Sequence, residues 1–135
     1  MKFVAYIDGA SFGNPGPSGL GVVFHDAEGR IVKEYCESLG HGTNNRAEYL
    51  ALLRTLDLAE ELGADELEVR SDSLLVVSQV NGLYKIKNPG LKLYISQLQE
   101  KIRKAKLKFS IVHIPRELNK LADKLSKKGA ALVKE

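Results

Sequence analysis

The sequence predicts an α/β fold, a five-stranded mixed sheet with its first three strands antiparallel, its fourth and fifth parallel, and helices on both faces. Three observations predict it. β-Rich stretches crowd the first 39 residues around turn-forming residues. Helical and strand patterns alternate thereafter, in the order βββαβααβα. Right-handed crossovers then place the fourth and fifth strands beside the first. No repeat or linker divides the 135 residues, so residues 1–135 are read as a single domain, long enough to bury a core.

The elements follow from local chemistry. Lys2–Asp8 is β-rich and ends at Asp8-Gly9, and Asn14-Pro15-Gly16-Pro17 is dense in turn formers. Gly19–His25 and Ile31–Leu39 read as strands around a turn at Asp26–Gly29. Between Asn45 and Leu62, Ala47, Leu50, Ala51, Leu53, Leu58 and Leu62 form a helical stripe stopped by Gly63. Leu67–Arg70 is a short strand, and a helix from about Ser73 to Val80 stops at Gly82. Asn88-Pro89-Gly90 opens a helix reaching about Ala105. Leu107–Ile114 alternates as a strand, and Glu117–Lys128 is a final helix ended by Gly129.

Composition narrows the function classes. An apolar fraction of 44% and a charged fraction of 27% suit a soluble globular chain. No apolar run is long enough for a membrane span, and the amino-terminal residues alternate like a strand rather than a signal peptide. A single cysteine, Cys36, excludes an internal disulfide, so a cytoplasmic setting is expected. The net charge of +3 hides a polarity: residues 1–84 balance to −7 and residues 85–135 to +10. That division suits a polyanionic ligand whose reaction centre needs cations, and it equally suits a solvated lysine-rich helix face.

Four carboxylates fall at element boundaries: Asp8 at the end of the first strand, Glu48 in the first turn of the long helix, Asp72 after the fourth strand and Asp123 in the last helix. Each has an ordinary structural alternative. Asp8-Gly9 can be a turn, Asn45 with Glu48 has capping-box spacing, Asp72 or Ser73 can cap the next helix, and Asp123 can pair with Lys120 or Lys127. Together they say more, because the topology makes the strands before Asp8 and Asp72 neighbours at a carboxyl edge where α/β sheets build sites. Gathered carboxylates repel unless a cation intervenes. Hard oxygen ligands in an open site suit two Mg²⁺ ions, with Mn²⁺ as a substitute. Zinc is not expected, since Cys36, His25, His41 and His113 lack its usual spacings. Arg116, Asn119 and Asp123, spaced by three and four, read as one polar face of the last helix opposite Leu118, Leu121, Ala122 and Leu125.

These motifs resemble ribonuclease H type 1, in its compact archaeal and bacterial branch. They are Asp8-Gly9-Ala10-Ser11 with Gly13-Asn14-Pro15-Gly16, then Thr43-Asn44-Asn45-Arg46-Ala47-Glu48, Ser71-Asp72-Ser73, and Arg116-Glu117 followed by Asn119 and Ala122-Asp123. The resemblance implies the ribonuclease H-like fold and hydrolysis of the RNA strand of RNA–DNA hybrids, leaving 5′-phosphate and 3′-hydroxyl ends. It further implies that Asp8, Glu48, Asp72 and Asp123 are catalytic metal ligands, with Asp8 bridging both ions. Asn14 and Thr43 would hold a phosphate of the DNA strand, Asn44 and Asn45 would contact the minor groove and 2′-hydroxyls, and Arg46 would bind substrate or support the helix start. Arg116 is preferred over His113 as the assistant to turnover.

Two departures stand out. Leu74 replaces a glutamine many relatives carry, which removes one RNA base contact. The segment Asn81–Lys92 is too short for the Trp-rich basic protrusion of some bacterial members, and the lysines of residues 85–108 are expected to supply its electrostatic grip. The expected partner is the hybrid, with double-stranded RNA open as a second substrate, no membrane, and a monomer assumed. The rival readings are another nuclease of the same fold and a non-catalytic hybrid-binding module.

Overall fold

A computed structural model describes residues 1–82 and 86–133. Its strands are β1 (Lys2–Ser11), β2 (Gly16–His25), β3 (Ile31–Gly42), β4 (Glu66–Ser71) and β5 (Lys108–His113). Its helices are α1 (Asn44–Glu61), α2 (Leu74–Val80), α3 (Pro89–Ala105) and α4 (Lys120–Ala131), with a 3-10 turn at Arg116–Leu118. The sheet order is β3-β2-β1-β4-β5, antiparallel among the first three strands and parallel from β1 to β4 to β5. The expected architecture is therefore present. Lys85, the first of the expected basic run, lies outside the described residues. Among the described residues no helix is long and apolar enough to cross a membrane.

Strand parity sorts the two faces. Phe3, Ala5 and Ile7 of β1 join Leu20, Val22 and Phe24 of β2 in the core beneath α1. Packed between the sheet and α3, α1 buries more than its predicted stripe: Tyr49, Leu52 and Leu56 are also inside. The opposite face carries α4. A Cβ on Gly9 would lie 2.4 Å from the Ala47 carbonyl carbon of α1, whereas one on Gly21 would lie 2.4 Å from the Ala122 oxygen of α4. Both helices thus approach the sheet closely at neighbouring strands, and both carry carboxylates there. Gly63 and Gly82 follow α1 and α2 with φ of 76° and 77°, the left-handed conformation that ends helices.

Four expectations need correction. β1 does not end at Asp8 but continues to Ser11, because β2 still pairs with it there; what ends is β4, whose last partner on β1 is Ile7. Gly129 does not stop the last helix. It lies inside α4, where a Cβ would come 2.4 Å from the Glu37 oxygen of β3. The buried face of α4 is Ala122, Ser126, Gly129 and Ala130, while Leu118 is 64% exposed; a helix this close to the sheet has room only for small side chains. Finally, Arg116, Asn119 and Asp123 do not share one helix face, since the 3-10 turn ends at Leu118 and Asn119 breaks the path with φ −120° and ψ 26° before α4 begins.

Candidate active site

Where β4 stops beside β1, the sheet opens a cleft of about 400 Å³. Asp8, Glu48, Asp72 and Asp123 all line it, with Asn44, Asn45, Ser11, Phe12, Ser73, Arg116 and Lys127. A larger cleft of about 760 Å³ between α1 and α3 is lined by mixed charges that include none of these carboxylates.

Each acid is delivered by a different device. Asp8 is an interior β1 residue opposite Gly21, on the α4 face, and its Oδ2 accepts a hydrogen bond from Ser126 Oγ at 2.9 Å. Glu48 comes from the first turns of α1, its Oε1 accepting from Gly9 N at 2.5 Å. Asp72 leaves the end of β4, and its Oδ2 accepts from Asn119 Nδ2 at 2.9 Å. Asp123 stands in the first turn of α4 and pairs with Lys127 at 3.0 Å.

The ordinary alternatives for these acids resolve individually. Thr43, not Asn45, caps α1, its Oγ1 accepting from Arg46 N at 3.1 Å. Ser73, not Asp72, caps α2. The Asp123–Lys127 pair does form, on the rim of the cleft.

The electrostatics are those of crowded acids. Burial raises Asp8 to about 7; Glu48, within hydrogen-bonding reach, pulls it down, and the charge of Asp72 pushes it up. Burial and then the charge of Asp8 drive Glu48 well above the ordinary carboxylate range. Buried acids crowded in this way resist ionising together unless a cation balances their charge. Among the described residues Glu48 Oε2 is buried without a hydrogen-bond partner.

An orphaned buried carboxylate oxygen, two raised acids and a donor set of hard oxygens fit a divalent cation of the Mg²⁺ type. Among the described residues no three His, Cys, Asp or Glu side chains close around one point as a ready ligand cage. An open site of this kind suits an ion that keeps waters and takes ligands from a substrate.

The remaining predicted residues divide. Asn44 and Asn45 line the cleft. Asn14 and Thr43 do not, but both lie at the exposed start of α1, where Asn14 Oδ1 accepts from Asn44 N at 3.0 Å. Arg46 turns away: its Nη1 donates to the Leu39 carbonyl at 3.2 Å beneath Gly42, bracing β3 against α1. Arg116 lines the cleft and His113 does not.

Strand parity predicts that His113 points into the core. It is instead exposed, because β5 ends there and Ile114 is the next residue buried. Sequence reasoning missed Ser126, which bonds Asp8, and treated Lys127 only as an ion-pair partner. Their i+3 and i+4 spacing from Asp123 on one helix was the available signal.

A mixed sheet in this order, with four acids gathered where its first and fourth strands part, defines the ribonuclease H-like class. The family model described as reverse transcriptase-like matches residues 6–129. Ribonuclease HI of Halobacterium salinarum is 40% identical over 127 residues, covering 90% of this chain and 61% of that protein. A bifunctional protein of Mycobacterium tuberculosis is 42% identical over 130 residues, covering 93% of this chain and 35% of that one. The chain thus spans 61% of the length of the first of these curated relatives and 35% of the second.

Solved structures match over nearly their whole chains. The RNase H1 of Halobacterium salinarum superposes with a TM-score of 0.93 at 38% identity, covering 97% of this chain and 98% of that one. LC11-RNase H1, solved in complex with an RNA/DNA hybrid, gives 0.91 at 39%, covering 96% of each. The chain belongs to the reverse transcriptase-like family and is a ribonuclease H-like domain.

Proposed function

We propose that this chain is an endonuclease that hydrolyses the RNA strand of RNA–DNA hybrids with two Mg²⁺ ions, leaving 5′-phosphate and 3′-hydroxyl ends. The observation that carries the reading is the convergence of Asp8, Glu48, Asp72 and Asp123 in one cleft rimmed by Asn44 and Asn45. Asp8 and Asp72 would be the core ligands, with Glu48 and Asp123 completing the set; the ions, when bound, supply activation of water and stabilisation of the leaving oxygen. Mn²⁺ would substitute, since it accepts the same oxygen donors.

The chain's own groups do the rest. Asn44 and Asn45 offer amides to the minor groove, where the 2′-hydroxyl distinguishes RNA from DNA. Asn14 and Thr43, at the start of α1, receive a phosphate of the DNA strand. Arg116 brings a guanidinium to the scissile phosphate, while Lys127 holds Asp123. We place this activity in a cytoplasmic monomer.

The test compares end-labelled hybrid, RNA duplex and DNA duplex of one sequence, each with Mg²⁺, Mn²⁺ or EDTA. The hybrid should be cut in its RNA strand only, and only with metal. Equal cutting of the DNA duplex would make the chain a different nuclease of the same fold.

A further inference from the structure

Asn119 stands at the N-cap position of α4, where asparagine ordinarily accepts a backbone N–H of the first helical turn. Here its side chain makes no capping bond. The carboxamide is 1% exposed and turned inward. Its Nδ2 donates to the Ile7 carbonyl at 2.8 Å and to Asp72 Oδ2 at 2.9 Å. Its main-chain oxygen accepts from Asp123 N at 3.0 Å.

One residue therefore touches the main chain immediately before Asp8, the side chain of Asp72 and the backbone of Asp123. The amide orientation is fixed, because exchanging its nitrogen and oxygen would set an acceptor against both the Ile7 carbonyl and the Asp72 carboxylate. That orientation leaves Oδ1 buried with no partner among the described residues. A residue kept only for stability has little reason to give up its cap and strand a buried acceptor.

We propose that Asn119 is a positioning residue for the carboxylate cluster, holding Asp72 at a fixed rotation while joining the strands that carry Asp8 and Asp72 to the helix that carries Asp123. A neutral donor suits the task. It restrains one oxygen of Asp72 without adding positive charge where the cleft is to receive cations, as a lysine would. This inference rests on the proposed metal-dependent cleavage.

The test uses Asn119→Leu, which keeps the bulk and loses the donor, and Asn119→Ala. Three quantities are measured: the dissociation constant for Mn²⁺ alone by calorimetry well below Tm, kcat against KM on the hybrid, and Tm. Loss of a group that orients a metal ligand should raise the Mn²⁺ dissociation constant and lower kcat by about 10-fold or more, with KM within about twofold. A merely structural residue would lower Tm and leave Mn²⁺ affinity and kcat of the folded protein unchanged, and that result overturns the proposal.

Should neither variant fold, the wild-type protein decides. The Asn119 side-chain NH₂ resonances should be protected from exchange and shift saturably with Mg²⁺. Rapid exchange, or no shift over the titration, overturns the proposal. Wild-type protein that binds no Mn²⁺ and cuts no hybrid would instead overturn the functional reading beneath it.

Discussion

Burial and mutual crowding raise both Asp8 and Glu48 above the ordinary carboxylate range. The folded value of Asp8, about 7, lies above its ordinary 3.8, so folding without metal takes up a proton. The stabilising contribution of that proton is fully present below about pH 3.8 and is lost as pH rises through about 7; Glu48, raised for the same reasons, has the same sign. The metal-free protein should therefore melt at a lower temperature at pH 8 than at pH 5.5, and saturating Mg²⁺ should reverse most of the loss.

Asp8→Asn removes one of the mutually repelling charges. It should raise the metal-free Tm at pH 8 by a few degrees, on the order of 1 kcal/mol, while abolishing cleavage. A fall in the metal-free Tm would mean that Asp8 is there for stability. Arg116 and His113 differ at the same scale, one in the cleft lining and one outside it. Arg116→Ala should lower turnover about tenfold, or 1.4 kcal/mol on the barrier. His113→Ala, at an exposed strand end, should leave the pH–rate profile as it is. A wild-type inflection in that profile that vanishes in His113→Ala would reverse the assignment.

At the level of elements, the start of α1 separates a cap from a reader. Thr43 supplies the capping oxygen, so Thr43→Ala should cost about 1 kcal/mol of stability. Asn44 and Asn45 make no side-chain cap. Their double alanine variant should keep its Tm and lose hybrid affinity, at about 1 kcal/mol for each lost hydrogen bond. If cleavage at saturating substrate falls while apparent affinity holds, they are not groove readers. The helix itself was legible because the 3.6-residue pattern locates it, but its cap was not: Asn45 has capping-box spacing with Glu48, and Thr43 caps instead. The end of the chain was less legible. The helical spacing of Arg116, Asn119 and Asp123 suggested one continuous face, but periodicity does not register a 3-10 turn and a break at Asn119 that aim the same residues inward by another path. Nor does an apolar stripe reveal that α4 packs through Ala122, Ser126 and Gly129, because that follows from its close approach to Gly21.

Across the whole molecule, residues 1–84 supply Asp8, Glu48 and Asp72 to the cleft, and the basic second part supplies Asp123, Arg116 and Lys127. Lys87, Lys92 and Lys106 on or beside α3 are exposed, whereas Lys101 is paired with Asp57 and Lys104 with Glu100. Exposed cations of this kind grip a polyanion through counterion release, so KM for the hybrid should rise steeply between about 50 and 200 mM salt while kcat changes little; a KM indifferent to salt would leave the charge division as a solvated surface. The placement of β4 beside β1 was legible from crossover handedness, whereas β5, also expected beside the first strand, pairs with β4 instead. The site was legible as residues but not as geometry, since only the sheet shows that β4 ends one pair before Asp8. The central claim is that these four acids cut RNA through bound cations. It is tested most directly by single-turnover cleavage of one end-labelled hybrid by wild type in Mg²⁺, wild type in EDTA, and Asp72→Asn in Mg²⁺. We predict RNA-strand products only in the first, with the variant slower by at least about a thousandfold, some 4 kcal/mol. Cleavage that persists in EDTA, or an Asp72→Asn rate within about tenfold of wild type, would contradict it.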